Sequence, residues 1–263
     1  METAQEGHYG KLLNKVPEVT LVFWILKILA TTVGETAADV LSTTFGLGTV
    51  NTSYVMGALL LISLVFQFRA TRYVPAIYWV VVVFISVVGT LISDNLVDNL
   101  GVPLATTSLI FTIALIAVFL FWYLSERTLS VHTIFTTRRE LFYWAAILFT
   151  FSLGTSAGDL LSERLGLGYA LSAVMFGAAI AIIYATYRFR WINEVLAFWL
   201  AYILTRPLGA SMGDLLTAAR DEGGLEIGTI PVSVAFLLII VVLVVYLDRE
   251  EKKKHEPNLS RTL

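Results

Sequence analysis

Eight apolar runs alternate with short polar stretches along the chain, near 19–44, 54–70, 76–99, 103–125, 141–163, 169–189, 194–219 and 230–247. Most hold the roughly 20 residues that carry a helix across about 30 Å of hydrocarbon. The runs are continuously apolar, not alternating, so they predict helices and not the strands of a barrel. Polar positions inside the runs follow a rule. A Trp, a Gly ten positions on and an Asp five further recur as Trp24–Gly34–Asp39, Trp79–Gly89–Asp94, Trp144–Gly154–Asp159 and Trp199–Gly209–Asp214. The glycines stand 55, 65 and 55 residues apart, so the first and third copies are 120 apart, as are the second and fourth. A fixed period of this kind dictates a repeated architecture. The expected fold is all-α: eight transmembrane helices as four parallel helical hairpins in two homologous halves, 17–125 and 141–248. In each hairpin the first helix is long and carries the pattern, and the second is cleaner and lipid-facing. Residues 1–16 are expected to be a polar, mobile tail, 126–140 a linker, and 249–263 a basic tail.

Composition agrees with a bilayer setting. Of 263 residues, 57% are hydrophobic and 14% charged, and the mean hydropathy is +0.78; a soluble domain carries about 25% charged residues. A net charge of −2 gives no reason to expect nucleic acid as a partner. The absence of cysteine removes disulfides, thiolate metal sites and a cysteine nucleophile. Charge also orients the chain. Of 18 Lys and Arg, 14 fall at one set of span ends or in the tails beside them, and only Arg164 and Arg220 fall at the other. The excess of positive charge marks the cytoplasmic side, so both termini are expected there. Each repeat spans the membrane twice, so all four repeats point the same way about an axis along the membrane normal.

The long helices then carry the chemistry. Lys27, Thr31, Glu35 and Asp39 lie four residues apart, as do Ser86, Thr90, Asp94 and Asp98. Such spacing makes a polar stripe along one helix face. Ser152, Ser156, Asp159 and Glu163 continue the theme in the fifth span, and Thr205, Arg206, Ser211 and Asp214 in the seventh. An ionisable group at mid-bilayer costs about 2.5–3.5 kcal/mol on insertion scales, so these stripes should face one another or a water-filled cavity. Asp94 lies nineteen residues past Pro75, roughly 28 Å along the helix, which sets the aspartates toward the outer side.

Carboxylates outnumber bases in the stripes, which favours a cation as guest. Glu35, Asp39, Asp94, Asp98, Asp159 and Asp214 are the candidate ion-binding residues. Glu35, Asp39, Asp94, Asp159 and Asp214 are the candidate metal ligands. Lys27 and Arg206 are the candidate charge-tuning residues. Oxygen ligands suit hard divalent ions, with Mn²⁺ the first guess, as transported substrate and not as resident cofactor. Carboxylates that share a site also hold protons, which opens a proton-coupled route. Two alternatives stand beside this one: a scaffold or sensor held together by buried ion pairs, and a transporter of a small organic cation, which needs an apolar cavity beside the acids. No enzyme motif is present, so no catalytic activity is expected.

Other features receive simpler readings. The four glycines are expected at close helix crossings, and the four tryptophans at the inner membrane interface as anchors. Pro207 removes a helix hydrogen bond, so Pro207-Leu208-Gly209 could break the seventh helix. Phe45-Gly46-Leu47-Gly48 and Leu165-Gly166-Leu167-Gly168 look like matching tight turns. His8, His132 and His255 lie in the tails or the linker and are read as solvated.

Runs such as Lys15-Val16-Pro17-Glu18-Val19-Thr20, Thr31-Thr32-Val33-Gly34-Glu35-Thr36 and Gly158-Asp159-Leu160-Leu161-Ser162 resemble a bacterial family of uncharacterised, multi-span, membrane-anchored proteins, over about residues 15 to 248. The resemblance implies the bacterial cytoplasmic membrane and brings no activity. A fainter similarity is to cation exchangers of the manganese and calcium type, whose repeats carry Glu-x-Gly-Asp followed by a base. Here Gly158-Asp159 and Gly213-Asp214 match the Gly-Asp core, no Glu stands two before the Gly, and Leu160 and Leu215 replace the base.

Overall fold

The computed structural model describes residues 14–255, all of whose regular structure is helical. Eight helices are long and apolar enough to cross a bilayer. They are α1 (Leu21–Asp39), α2 (Gly48–Arg69), α3 (Pro75–Asp94), α4 (Leu104–Glu126), α5 (Thr137–Asp159), α6 (Gly168–Arg188), α7 (Glu194–Thr217) and α8 (Thr229–His255). The odd-numbered helices start from built caps. Thr20, Thr136 and Asn193 accept backbone N–H groups at the starts of α1, α5 and α7, and Pro75 occupies the first turn of α3. Each of α1, α3 and α5 ends in one wider π-helical turn, Val40–Thr44, Asn95–Asn99 and Leu160–Arg164, and the repeat aspartate immediately precedes it. The turns into α2 and α6 are the two Gly-Leu-Gly segments. Gly46, Gly48, Gly166 and Gly168 all take positive φ there, which other residues resist.

The four odd helices form a closed inner ring in which α1 packs on α3, α3 on α5, α5 on α7 and α7 on α1. More than half of each is buried, against less than a quarter of each even helix. The even helices do not pack chiefly on the partner that precedes them in sequence. Instead α2 lies on α3, α4 on α5, α6 on α7, and α8 returns to α1. Each repeat therefore overlaps the next, and the last closes on the first. On α2 only Thr52, Met56, Leu60, Ser63 and Gln67 are buried, a single stripe facing the ring; the rest is left for lipid.

The glycines of the repeat set the ring's spacing. A methyl group on Gly34 would overlap Ser86, one on Gly89 would overlap Phe151, one on Gly154 would overlap Arg206, and one on Gly209 would overlap Thr31. In every case the neighbour is the residue three before the glycine of the following repeat. Lipid tails are as apolar as the helix faces, so close packing of small residues has to hold such helices together. The expected role of the glycines at helix crossings is what the structure displays.

Beneath the glycines lies an aromatic layer. The tryptophans and the residues just before them form it: Phe23-Trp24, Tyr78-Trp79, Tyr143-Trp144 and Phe198-Trp199. The first member of each pair meets the Trp of the next repeat, with ring centroids 5.8 Å apart for Phe23–Trp79, 5.4 Å for Tyr78–Trp144, 6.2 Å for Tyr143–Trp199 and 5.7 Å for Phe198–Trp24. Tyr78 and Tyr143 share a 2.5 Å hydroxyl hydrogen bond. Trp79, Trp144 and Trp199 are buried and Trp24 is half-buried. The expectation of interface anchors is thus corrected. The ring before each Trp, eleven residues from the repeat glycine, shares the glycine's helix face, and the rings pack on one another between repeats near the end of the bundle that holds the termini.

Two further expectations change. Residues 14–16, assigned to a mobile tail, are buried; residues 1–13 lie outside the described part. Lys15 pairs with the fully buried Glu140 at 2.7 Å, and Gln67 holds the other oxygen of Glu140 at 2.9 Å. Asn14 donates to Val131 and accepts from the Ile134 N–H in the 126–140 segment. A buried carboxylate needs a partner, and this one draws the N-terminal segment in. The seventh helix, in turn, runs unbroken through Pro207. His132 lies half-exposed beside Glu194 at 2.9 Å, while His8 and the side chain of His255 lie outside the described part.

Candidate functional site

At the end of the bundle away from the termini, the inner ring opens into a cavity of about 380 Å³. Its walls include Glu35, Asp39, Asp94, Asp98, Asp159 and Asp214, joined by Tyr169 and Glu222. All six candidate ion-binding residues therefore meet in one space. They arrive by the same route in each repeat. The aspartates occupy the position five after the repeat glycine, on the last α-helical turn, where α1, α3, α5 and α7 diverge. Asp39, Asp94, Asp159 and Asp214 are half-buried, Asp98 is exposed at the rim, and Glu35 is buried. The side chain of Glu163 is outside the described part.

The carboxylates surround the cavity without converging. Among the described residues no three acids or histidines gather closely enough to hold one ion together. The set expected as metal ligands, Glu35, Asp39, Asp94, Asp159 and Asp214, thus lines a wide vestibule and does not form a tight coordination shell. This geometry suits a cation that keeps its water, or a larger organic one.

Arg206 meets the cavity wall through Glu35 without lining the cavity itself. It is completely buried, and from α7 its guanidinium reaches each of the other three inner helices. Nη2 donates to Glu35 Oε2 at 2.8 Å and to Thr155 Oγ1 at 2.7 Å, and it also meets Thr90 Oγ1; Nη1 donates to the Thr31 carbonyl at 3.2 Å. Glu35, Thr90 and Thr155 are equivalent residues, each directly after its repeat glycine. Arg206 belongs to the set three before the glycine, whose other members are Thr31, Ser86 and Phe151. Three repeats thus supply the oxygen atoms, and the fourth supplies the cation. Nε of Arg206 is buried and has no hydrogen-bond partner among the described residues.

Lys27 is placed differently from the acids. It does not line the cavity. Its ammonium lies one layer below Arg206, 3.8 Å from the centroid of the Phe151 ring and 4.2 Å from that of Tyr202. It is fully buried and makes no hydrogen bond among the described residues. Ring faces are negative and attract such a cation. Phe151 also stands 5.7 Å from the Arg206 guanidinium carbon, so one ring serves both cations. Neither Thr155 nor Phe151 stands out in the sequence alone; aligning the repeats on their glycines would single out both.

Four consecutive stretches, residues 22–73, 77–128, 142–191 and 197–253, match one family model, described as a Repeat of Unknown Function (DUF347). Each stretch takes in one odd helix and the even helix that follows it. No curated protein and no solved structure matches the chain.

Proposed function

The chain belongs to the Repeat of Unknown Function (DUF347) family, and on that footing we propose that its four repeats act as one carrier moving a cation across the membrane. The observation that carries this reading is that Glu35 lines the acid cavity and also holds the buried Arg206. The cavity thereby reaches into the network that ties the four inner helices together, so a cation arriving there can act on helix packing. The basic end of the bundle is the cytoplasmic end by the charge rule. The vestibule then opens outward, and the aromatic layer closes the inward path.

The substrate enters with its water or as a small organic cation, because no three acids among the described residues gather closely enough to hold a bare ion. Hydrated divalent ions fit the first case, since Mg²⁺-like ions shed water reluctantly, and Mn²⁺ remains the first to test. A cavity of about 380 Å³ also falls in the usual range for small-molecule sites, about 300–1,000 Å³, so a small organic cation fits by size, but walls made mostly of acids lack the apolar surface that alternative needs. The scaffold reading draws on a specific observation of its own: the buried Arg206–Glu35 pair itself joins α7 to α1.

Thermal unfolding of the purified protein in detergent separates these readings. A ligand that prefers the folded state adds about 2.7 kcal/mol of stability at one hundred times its Kd. We expect a saturable rise in Tm with Mn²⁺, Mg²⁺, Ca²⁺ or a small alkylammonium ion, and its loss in Asp39→Asn and Asp159→Asn, which remain folded. If no cation raises Tm while both variants unfold at lower temperature, the acids serve structure alone.

A further inference from the structure

Resting on the carrier reading above, we infer that Arg206 is a tethered competitor for the transported cation: it occupies Glu35 when the vestibule is empty and must leave Glu35 when a cation is bound.

Three observations carry this. First, Arg206 is held by groups that could hold a free cation. Its partners are one carboxylate, two threonine hydroxyls and a backbone carbonyl, all of them oxygen acceptors of the kind hard cations take. Second, the carboxylate it holds belongs to a residue that lines the acid cavity. Third, Glu35 is not the only thing that holds the side chain. The face of Phe151 already lies 5.7 Å from its guanidinium carbon, and Nε makes no hydrogen bond among the described residues, so this contact does not depend on the carboxylate. A guanidinium over an aromatic face remains favourably placed.

The consequence concerns charge. An empty carrier with bare carboxylates in its core would pay heavily to reorient, since unpaired buried charge is costly. With Arg206 on Glu35 the one buried carboxylate of the six is paired when no cation is bound. When a cation displaces the guanidinium, the pairing at Glu35 passes from tether to substrate. Loosening the tether should therefore tighten substrate binding.

Thr155→Val provides the test, because it keeps side-chain volume and total charge while removing one hydrogen bond from the guanidinium. Equilibrium binding of Mn²⁺, and in parallel of tetramethylammonium, is measured on the full chain in lipid nanodiscs. Competition predicts that Thr155→Val binds the active probe roughly three- to tenfold more tightly, the scale of one ordinary intramolecular hydrogen bond. Thr155→Ser, which keeps the hydroxyl, should return affinity to the wild-type value. Arg206→Lys, which keeps the charge and cannot bridge three oxygens, should shift affinity the same way as Thr155→Val and covers the case in which that variant misfolds. Simple charge repulsion by Arg206 predicts no change in Thr155→Val, and that result overturns the inference while leaving the carrier reading intact. Absence of binding by wild type and all variants overturns the carrier reading. Binding by Thr155→Val alone supports the tether most strongly.

Discussion

Arg206→Met is expected to lower stability by about 3–5 kcal/mol, the scale for removing one partner of a buried ion pair. Methionine keeps the stem that packs against Gly154, so the loss isolates the guanidinium. Its removal leaves Glu35, which is 8% exposed, without its 2.8 Å partner, and it unties four helices at once. The double variant Arg206→Met/Glu35→Gln should lose clearly less than the two single losses added together, because no charge is left stranded. Coupling energies of about 0.5–3 kcal/mol are usual for groups in contact. Chemical or thermal denaturation in detergent reads all three variants. Strict additivity would mean that the pair does not function as a unit.

The second large effect is expected at the repeat glycines, and its sign should depend on the ring. Gly34→Ala, Gly89→Ala, Gly154→Ala and Gly209→Ala each place a methyl group inside an atom of the next repeat. Overpacking of this kind costs about 1–3 kcal/mol. Gly57 and Gly177 occupy the lipid side of α2 and α6, where an added methyl meets nothing within 4 Å. There, alanine should be neutral or slightly stabilising, since it removes about 0.5–1 kcal/mol of glycine's helix penalty. A series of six melting curves checks the contrast. Equal effects in both groups would argue against a ring closed by glycine contacts.

These two expectations show which parts of the molecule the residues announce. Apolar runs of membrane length specify the spans, and the fixed Trp–Gly–Asp spacing specifies four equivalent helices. Once four such helices surround one axis, the aspartates must meet, and the cavity follows. The partner of Arg206 was less legible. Nothing local in Gly154-Thr155 marks that threonine; its role comes from standing where Glu35 stands in another repeat. The tryptophans misled for the opposite reason. Trp near a span end usually marks an interface, yet here the residue before each Trp is also aromatic, and the eight rings fill the core together. The interlock of α2 with α3, and of α8 with α1, depends on packing between repeats, which no pattern within one repeat encodes. Likewise Lys15 reads as a tail residue until Glu140, distant in sequence, is seen buried beside it.

Cysteine reactivity tests the proposed cation cavity most directly, because the chain contains no cysteine of its own. Val97→Cys and Thr217→Cys place thiols on the cavity wall without touching an acid, and Ile113→Cys places one on the exposed face of α4. The two wall thiols should react with a membrane-impermeant reagent added from the side opposite the termini, and Mn²⁺ or a small alkylammonium ion should slow them both, while the α4 thiol stays unreactive throughout. Wall thiols that remain unreactive from that side, or that react at the same rate with every cation present, would contradict a water-filled cavity built to receive one.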